Sequence, residues 1–216
     1  MNPNQLKDNF GTTLLSNFNG SLAQLLGKHY PNYDWQVWRF ERVPPGFWNE
    51  AENVFKYLAF LMKEFDITKM EDWYKIKLTD VQDRYGSTLL HLHKNSMPQL
   101  LQKYFPDFEW QLWRFEKVPQ GYWESPEHIR TYLEWVKKEH AMRSADDWYR
   151  IYSTTLRDKY YGGTLLEKHN FNLAQILRKA YPDTEWDEGK FARKPSGYWS
   201  EKENRVRLVK ELEEKL

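Results

Sequence analysis

Gly86-Ser87-Thr88-Leu89-Leu90, followed by Ser96-Met97-Pro98-Gln99-Leu100-Leu101-Gln102-Lys103-Tyr104-Phe105-Pro106, decides the fold. Ser96 and Gln99 stand at the spacing of a capping box, where two side chains satisfy orphan backbone amides reciprocally. Pro98 falls in the first turn, where a missing donor does no harm, and Pro106 ends the helix. The same reading returns on either side. Gly11-Thr12-Thr13-Leu14-Leu15 precedes Ser21-x-x-Gln24, and Gly162-Gly163-Thr164-Leu165-Leu166 precedes Asn172-x-x-Gln175. Trp35 to Trp110 is 75 positions and Trp110 to Trp186 is 76, so the register slips by one. A fixed period of this kind is the signature of a modular array.

The expected architecture is all-α: a tandem array of short-helix modules of about 75 residues. Residues 1–10 read as a partial repeat end, 11–85 and 86–161 as full repeats, and 162–216 as a truncated third. A longer helix follows Phe47-Trp48 and its counterparts, capped by Asn49, by Ser125-Pro126 or by Ser200. In the second copy Ile129, Tyr132, Leu133 and Val136 carry its helical period. Thr68-x-x-Glu71 and Ser144-x-x-Asp147 cap short helices holding Asp-Trp-Tyr, and another short helix covers residues 79–85. Between Trp35 and Trp48 the chain is aromatic, Pro-Gly bearing and without helical period, which predicts an extended strap laid over helices.

Composition narrows the function. Seventeen per cent of residues are aromatic, with eleven Trp, so these rings must pack or bind something. The longest apolar run, Tyr57 to Met62, is far too short for a membrane span. With no Cys there is no disulfide or thiolate metal site, which fits an intracellular reducing compartment. The N-terminus carries neither an apolar signal core nor an Arg-rich transit pattern. Lys plus Arg against Asp plus Glu stands at 9 to 10 over residues 11–85, and at 11 to 10 over both 86–160 and 161–216. A nucleic-acid footprint must therefore be a local stripe, since no copy has a basic excess.

Nothing points to catalysis, a metal or a cofactor. The His residues do not recur, and His91-x-His93 lacks third and fourth ligands at suitable spacing. Asp72 and Asp147 read as first-turn carboxylates favoured by the helix dipole. No Lys follows Gly162-Gly163 to form a phosphate loop. The chain is expected to be non-enzymatic.

Three basic series recur: Lys28, Lys103 and Lys179; Arg39, Arg114 and Lys190; Arg42, Lys117 and Arg193. Packing does not need a charge, so these nine are the candidates for contact with nucleic-acid phosphates, DNA rather than RNA. The competing reading pairs them inside the strap with Asp34, Glu109 and Glu185, or stacks them on aromatic rings. Trp35, Trp48 and Trp73 recur as module cores, their indole N–H groups bonded to strap carbonyls. Trp38 and Trp113 give way to Gly189, and Trp135 aligns with Phe60. These variable rings are the candidate anchors of the alternative, a protein-interaction or assembly module within a larger complex.

The Asp-Trp-Tyr, Gly-x-Thr-Leu-Leu, Tyr-Pro-x-x-x-Trp and Phe-Trp or Tyr-Trp elements resemble a tandem-repeat family of eukaryotic and viral multi-repeat proteins. In outline, a long helix near a Trp, a short helix and a capped third helix are similar to homing-endonuclease-associated repeats. That likeness implies small helical DNA-binding units, with residues 22–30, 97–105 and 173–181 as the helices that face the duplex.

Overall fold

The computed structural model describes residues 12–214, so the expected repeat end at residues 1–10 lies outside the described residues. The described residues are all-α, with no strand among them. They divide into two compact units, with the boundary between Trp110 and Gln111.

In the first unit, α1 (Thr12–Ser16), α2 (Leu22–His29), α3 (Ala51–Glu64), α4 (Leu78–Asp83), α5 (Ser87–Leu92) and α6 (Met97–Tyr104) follow in order. The second holds α7 (Pro126–Glu139), α8 (Ser153–Tyr160), α9 (Gly163–Lys168), α10 (Leu173–Ala180) and α11 (Lys202–Glu213). Short 3-10 helices punctuate both units, including Met70–Lys75 and Ala145–Arg150 around the Asp-Trp-Tyr elements.

Capping fixes where the short helices begin. Ser21, Ser96 and Asn172 accept from the backbone N–H of Gln24, Gln99 and Gln175 at 3.0–3.3 Å. Ser125 caps α7 through His128 N at 3.4 Å. The expected caps Asn49 and Ser200 sit instead in a 3-10 turn, and Glu50 and Glu201 occupy the cap positions without a side-chain bond. A side chain one turn into the helix does the tethering there: Asn53 Nδ2 donates to Phe47 O at 2.9 Å and Asn204 Nδ2 to Tyr198 O at 2.8 Å.

Thr68-x-x-Glu71 is one residue out of register. Asp72 accepts from Thr68 N and Lys69 N at 3.3 and 3.2 Å, and Asp147 from Arg143 N and Ser144 N at 2.7 and 3.0 Å. Bonds to Lys75 and to these amides hold the Asp72 carboxyl down to about 2. The two Asp residues are thus structural carboxylates at a helix start.

The straps are tighter than an extended segment. Each contains two single-turn 3-10 helices, Val37–Arg39 and Phe47–Asn49 in the first and Leu112–Arg114 and Tyr122–Glu124 in the second. Gly46, Gly121 and Gly197 take φ of +78°, +76° and +83° at the third position of a Pro-x-Gly turn. The residue after each donates its N–H to the Pro carbonyl three positions back at 3.1–3.2 Å. Glycine supplies that left-handed step without a Cβ penalty.

The long helices form the cores. Val54, Tyr57, Leu58 and Leu61 of α3, and Ile129, Tyr132, Leu133 and Val136 of α7, are all fully buried. In the second unit these α7 residues share one cluster with Trp148, Leu156, Leu165, Leu166, Ile176 and Leu177. Trp73 and Trp148 are 0 and 1% exposed. The other expected core rings divide: Trp48 and Trp123 are buried, Trp35 is half-buried, and Trp199 is 44% exposed. Trp35 and Trp110 donate to Tyr30 O and Phe105 O at 3.2 and 3.0 Å, which anchors the start of each strap to the helix before it.

Candidate functional site

The strap is built from aromatics that need a cover, and cations supply part of it. The Arg39 guanidinium lies 5.3 Å from the Phe60 ring centre and 6.0 Å from that of Tyr85. Arg114 lies 5.5 Å from Tyr161 and donates to Gln111 Oε1 at 3.3 Å. Lys190 stands 5.7 Å over Tyr149. The first series behaves likewise, with Lys28 over Phe18 at 5.5 Å and Lys103 over Tyr104 at 5.3 Å. Lys179, half-buried, donates to Trp123 O at 3.4 Å. These are cation–π and capping contacts of the kind an aromatic-rich fold uses for itself. Asp34, Glu109 and Glu185 make no salt bridge among the described residues, so the ion-pair reading of the strap gives way to the stacking one.

Arg42, Lys117 and Arg193 differ from the rest. All three are exposed and enter no hydrogen bond, ion pair or ring contact among the described residues. Of the nine basic candidates, only these three have no partner group among the described residues.

Two of the proposed surface anchors are core residues. Trp38 is 6% exposed and packs on Tyr57 and Phe60 at 5.5 and 5.6 Å; Trp113 is 5% exposed and packs on Tyr132 and Trp135 at 5.6 Å each. The strap lays each indole across its long helix, which is why neither reaches the surface. Trp135 is half-buried, between Trp113 and Tyr160. Gly189 stands in the third strap where Trp38 and Trp113 stand in the others, and there other groups fill the space. The Tyr198 hydroxyl comes within 2.6 Å of where a Cβ on Gly189 would sit. Arg207 closes the site with a bidentate pair to Asp187 at 2.7 and 3.0 Å, and holds the Asp187 carboxyl below its ordinary range.

A set of exposed apolar residues lies elsewhere, and one of them, Trp199, is at a position whose recurrence reads as core. On α11, Leu208, Val209 and Leu212 are 39, 54 and 52% exposed, beside Trp199 at 44% and Val206 at 43%. By the 75- and 76-residue offsets, Leu208, Val209 and Leu212 occupy the positions of Tyr132, Leu133 and Val136, and Trp199 that of Trp123. A face that is sealed on α3 and α7 is thus open on α11. A matching opening lies on α1, where Leu14 is 45% exposed although its counterparts Leu89 and Leu165 are fully buried. The one signal in the sequence is the alignment of the copies, which places these residues at the positions of buried ones.

Among the described residues no group of three or more His, Asp or Glu side chains is placed to hold a metal ion. No helix among them is long and apolar enough to cross a membrane. No protein-family model, curated protein or solved structure matches the chain.

Proposed function

We propose that the chain is a non-enzymatic helical repeat scaffold that holds a protein partner on the apolar face of α11. The observation that carries this is the contrast between that face, open to solvent, and the equivalent faces of α3 and α7, which are sealed. Contiguous apolar residues at a solvent surface mark interaction sites in soluble proteins. Burying such side chains contributes about 1.5–3 kcal/mol each when the burial is complete. The lack of Cys suits work in a reducing compartment inside the cell.

A photo-crosslinking residue placed at Val209 tests the reading in cells that express the protein. A discrete protein adduct is expected from position 209 and none from Glu203, on the polar side of the same helix. No adduct at 209, or equal labelling at both positions, would remove it.

Arg42, Lys117 and Arg193 favour a second reading, phosphate contact with nucleic acid, DNA rather than RNA. It expects salt-sensitive binding to duplex DNA between about 50 and 200 mM salt. Replacing all three with Ala should lower the slope of log K against log salt by about one for each phosphate no longer engaged. An unchanged slope eliminates this reading.

A further inference from the structure

The packing that would cover α11 already exists inside the second unit. There Trp123 Nε1 donates to Thr164 Oγ1 at 2.9 Å, Lys179 Nζ to Trp123 O at 3.4 Å, and Tyr181 Oη to Glu134 Oε1 at 2.7 Å. Leu165 and Leu177 join Tyr132, Leu133 and Val136 in one core. α9 and α10 therefore present Thr164, Leu165, Leu177, Lys179 and Tyr181 to Trp123 and α7.

Among the described residues both halves of this interface recur at other places with their apolar side chains exposed. Thr13, Leu14, Leu26, Lys28 and Tyr30 hold the positions of the first set, and Trp199, Leu208, Val209 and Leu212 those of the second. Thr13 and Lys28 are exposed, Leu26 is half-buried, and Leu14 and Tyr30 are 45 and 61% exposed. The counterparts Leu165 and Leu177 are fully buried. Two substitutions change the chemistry of the second set. Arg205 stands where the buried Ile129 does and donates to Trp199 O and Ser200 O at 2.6 and 2.8 Å. Lys210 stands where Glu134 does, so the Tyr30 hydroxyl would accept a hydrogen bond where that of Tyr181 donates one.

We propose that a second copy of this chain docks the α1–α2 face, through Leu14, Leu26 and Tyr30, onto Trp199 and α11 of the first. The proposal rests on the partner-binding reading above and names the partner. In this head-to-tail arrangement the Trp199 indole N–H donates to Thr13 of the second copy, as that of Trp123 does to Thr164. The two patches differ, so the interface is heterologous and each copy keeps one open face after pairing.

Sedimentation equilibrium on the whole chain tests this. The mass should rise with protein concentration above the 26.4 kDa of one copy. Leu14→Asp and Val209→Asp, both at exposed positions, should each remain monomeric and keep the wild-type far-ultraviolet dichroism. Mixed one to one, they should form a heterodimer of about twice the monomer mass and stop there, because one variant has an intact tail and the other an intact head. A wild-type chain monomeric at every concentration overturns the proposal, as does a mixture that fails to pair. Self-association that survives Leu14→Asp overturns it too, since that association would be tail to tail. A crosslink from position 209 to a different protein, with the wild type monomeric, rejects self-docking and leaves the partner-binding reading standing. No crosslink rejects both.

Discussion

Trp148→Ala is expected to destabilise the second unit by about 3–5 kcal/mol, and Trp73→Ala the first by a similar amount, the range for emptying a fully packed aromatic site. Both rings are essentially inaccessible, and Trp148 sits in the cluster that joins α7, α8, α9 and α10. A destabilisation of that size is a large share of the roughly 5–15 kcal/mol that stabilises a folded domain. Trp199→Ala should cost only about 0.5–1.5 kcal/mol, the worth of an aromatic pair, because its ring packs edge-on to Tyr198 at 4.9 Å and the residue is 44% exposed. Urea denaturation of the three variants decides the matter. The same Trp199→Ala change should abolish concentration-dependent association, a readout that Trp148→Ala reaches only by unfolding the unit. Equal destabilisation at Trp148 and Trp199 would mean that the third Trp is a core residue and that the open face is smaller than proposed.

That contrast shows which features the sequence makes legible. Caps at Ser21, Ser96, Ser125 and Asn172 are local, each settled within three residues, and they place the short helices to within a residue. The all-α class follows from them. Register at Asp72 is harder, because the cap position holds Lys69 with Thr68 just before it, and only the second copy puts a usual capping residue, Ser144, at that position. Trp38 and Trp113 mislead for a different reason. Their replacement by Gly189 looks like surface variation until Tyr198 and the Asp187–Arg207 pair are seen filling the space, and Tyr198 and Arg207 lie well downstream in the chain. Arg39 and Arg114 recur because the rings they cover recur, so recurrence of a cation does not by itself separate stacking from phosphate binding. The open face of α11 has the same helical spacing as its buried equivalents. Periodicity says which side is apolar, never whether a neighbour covers it.

Gly86→Ala and Gly162→Ala are expected to cost about 1–3 kcal/mol each, the range for overpacking a closed site. Their φ values of −88° and −81° are open to any residue, so the requirement is for space. A Cβ on Gly86 would stand 2.5 Å from Val81 Cγ1, 2.8 Å from Val81 O and closer still to the Tyr57 hydroxyl. At Gly162 the Tyr132 hydroxyl is again nearest, but the next atoms, Leu156 O and C, are at 3.1 and 3.3 Å. The two sites should therefore respond differently to removal of the hydroxyl. Tyr132→Phe should recover most of the cost of Gly162→Ala, with a coupling of about 1 kcal/mol or more in a double-mutant cycle. Tyr57→Phe should rescue Gly86→Ala poorly, because the Val81 backbone stays in the way. It also forfeits the hydroxyl's bonds to Val81 O and Arg84 O at 3.2 and 3.0 Å, at a cost of about 1 kcal/mol. Equal coupling at the two sites would show that glycine is kept there for the turn and not for the tyrosine.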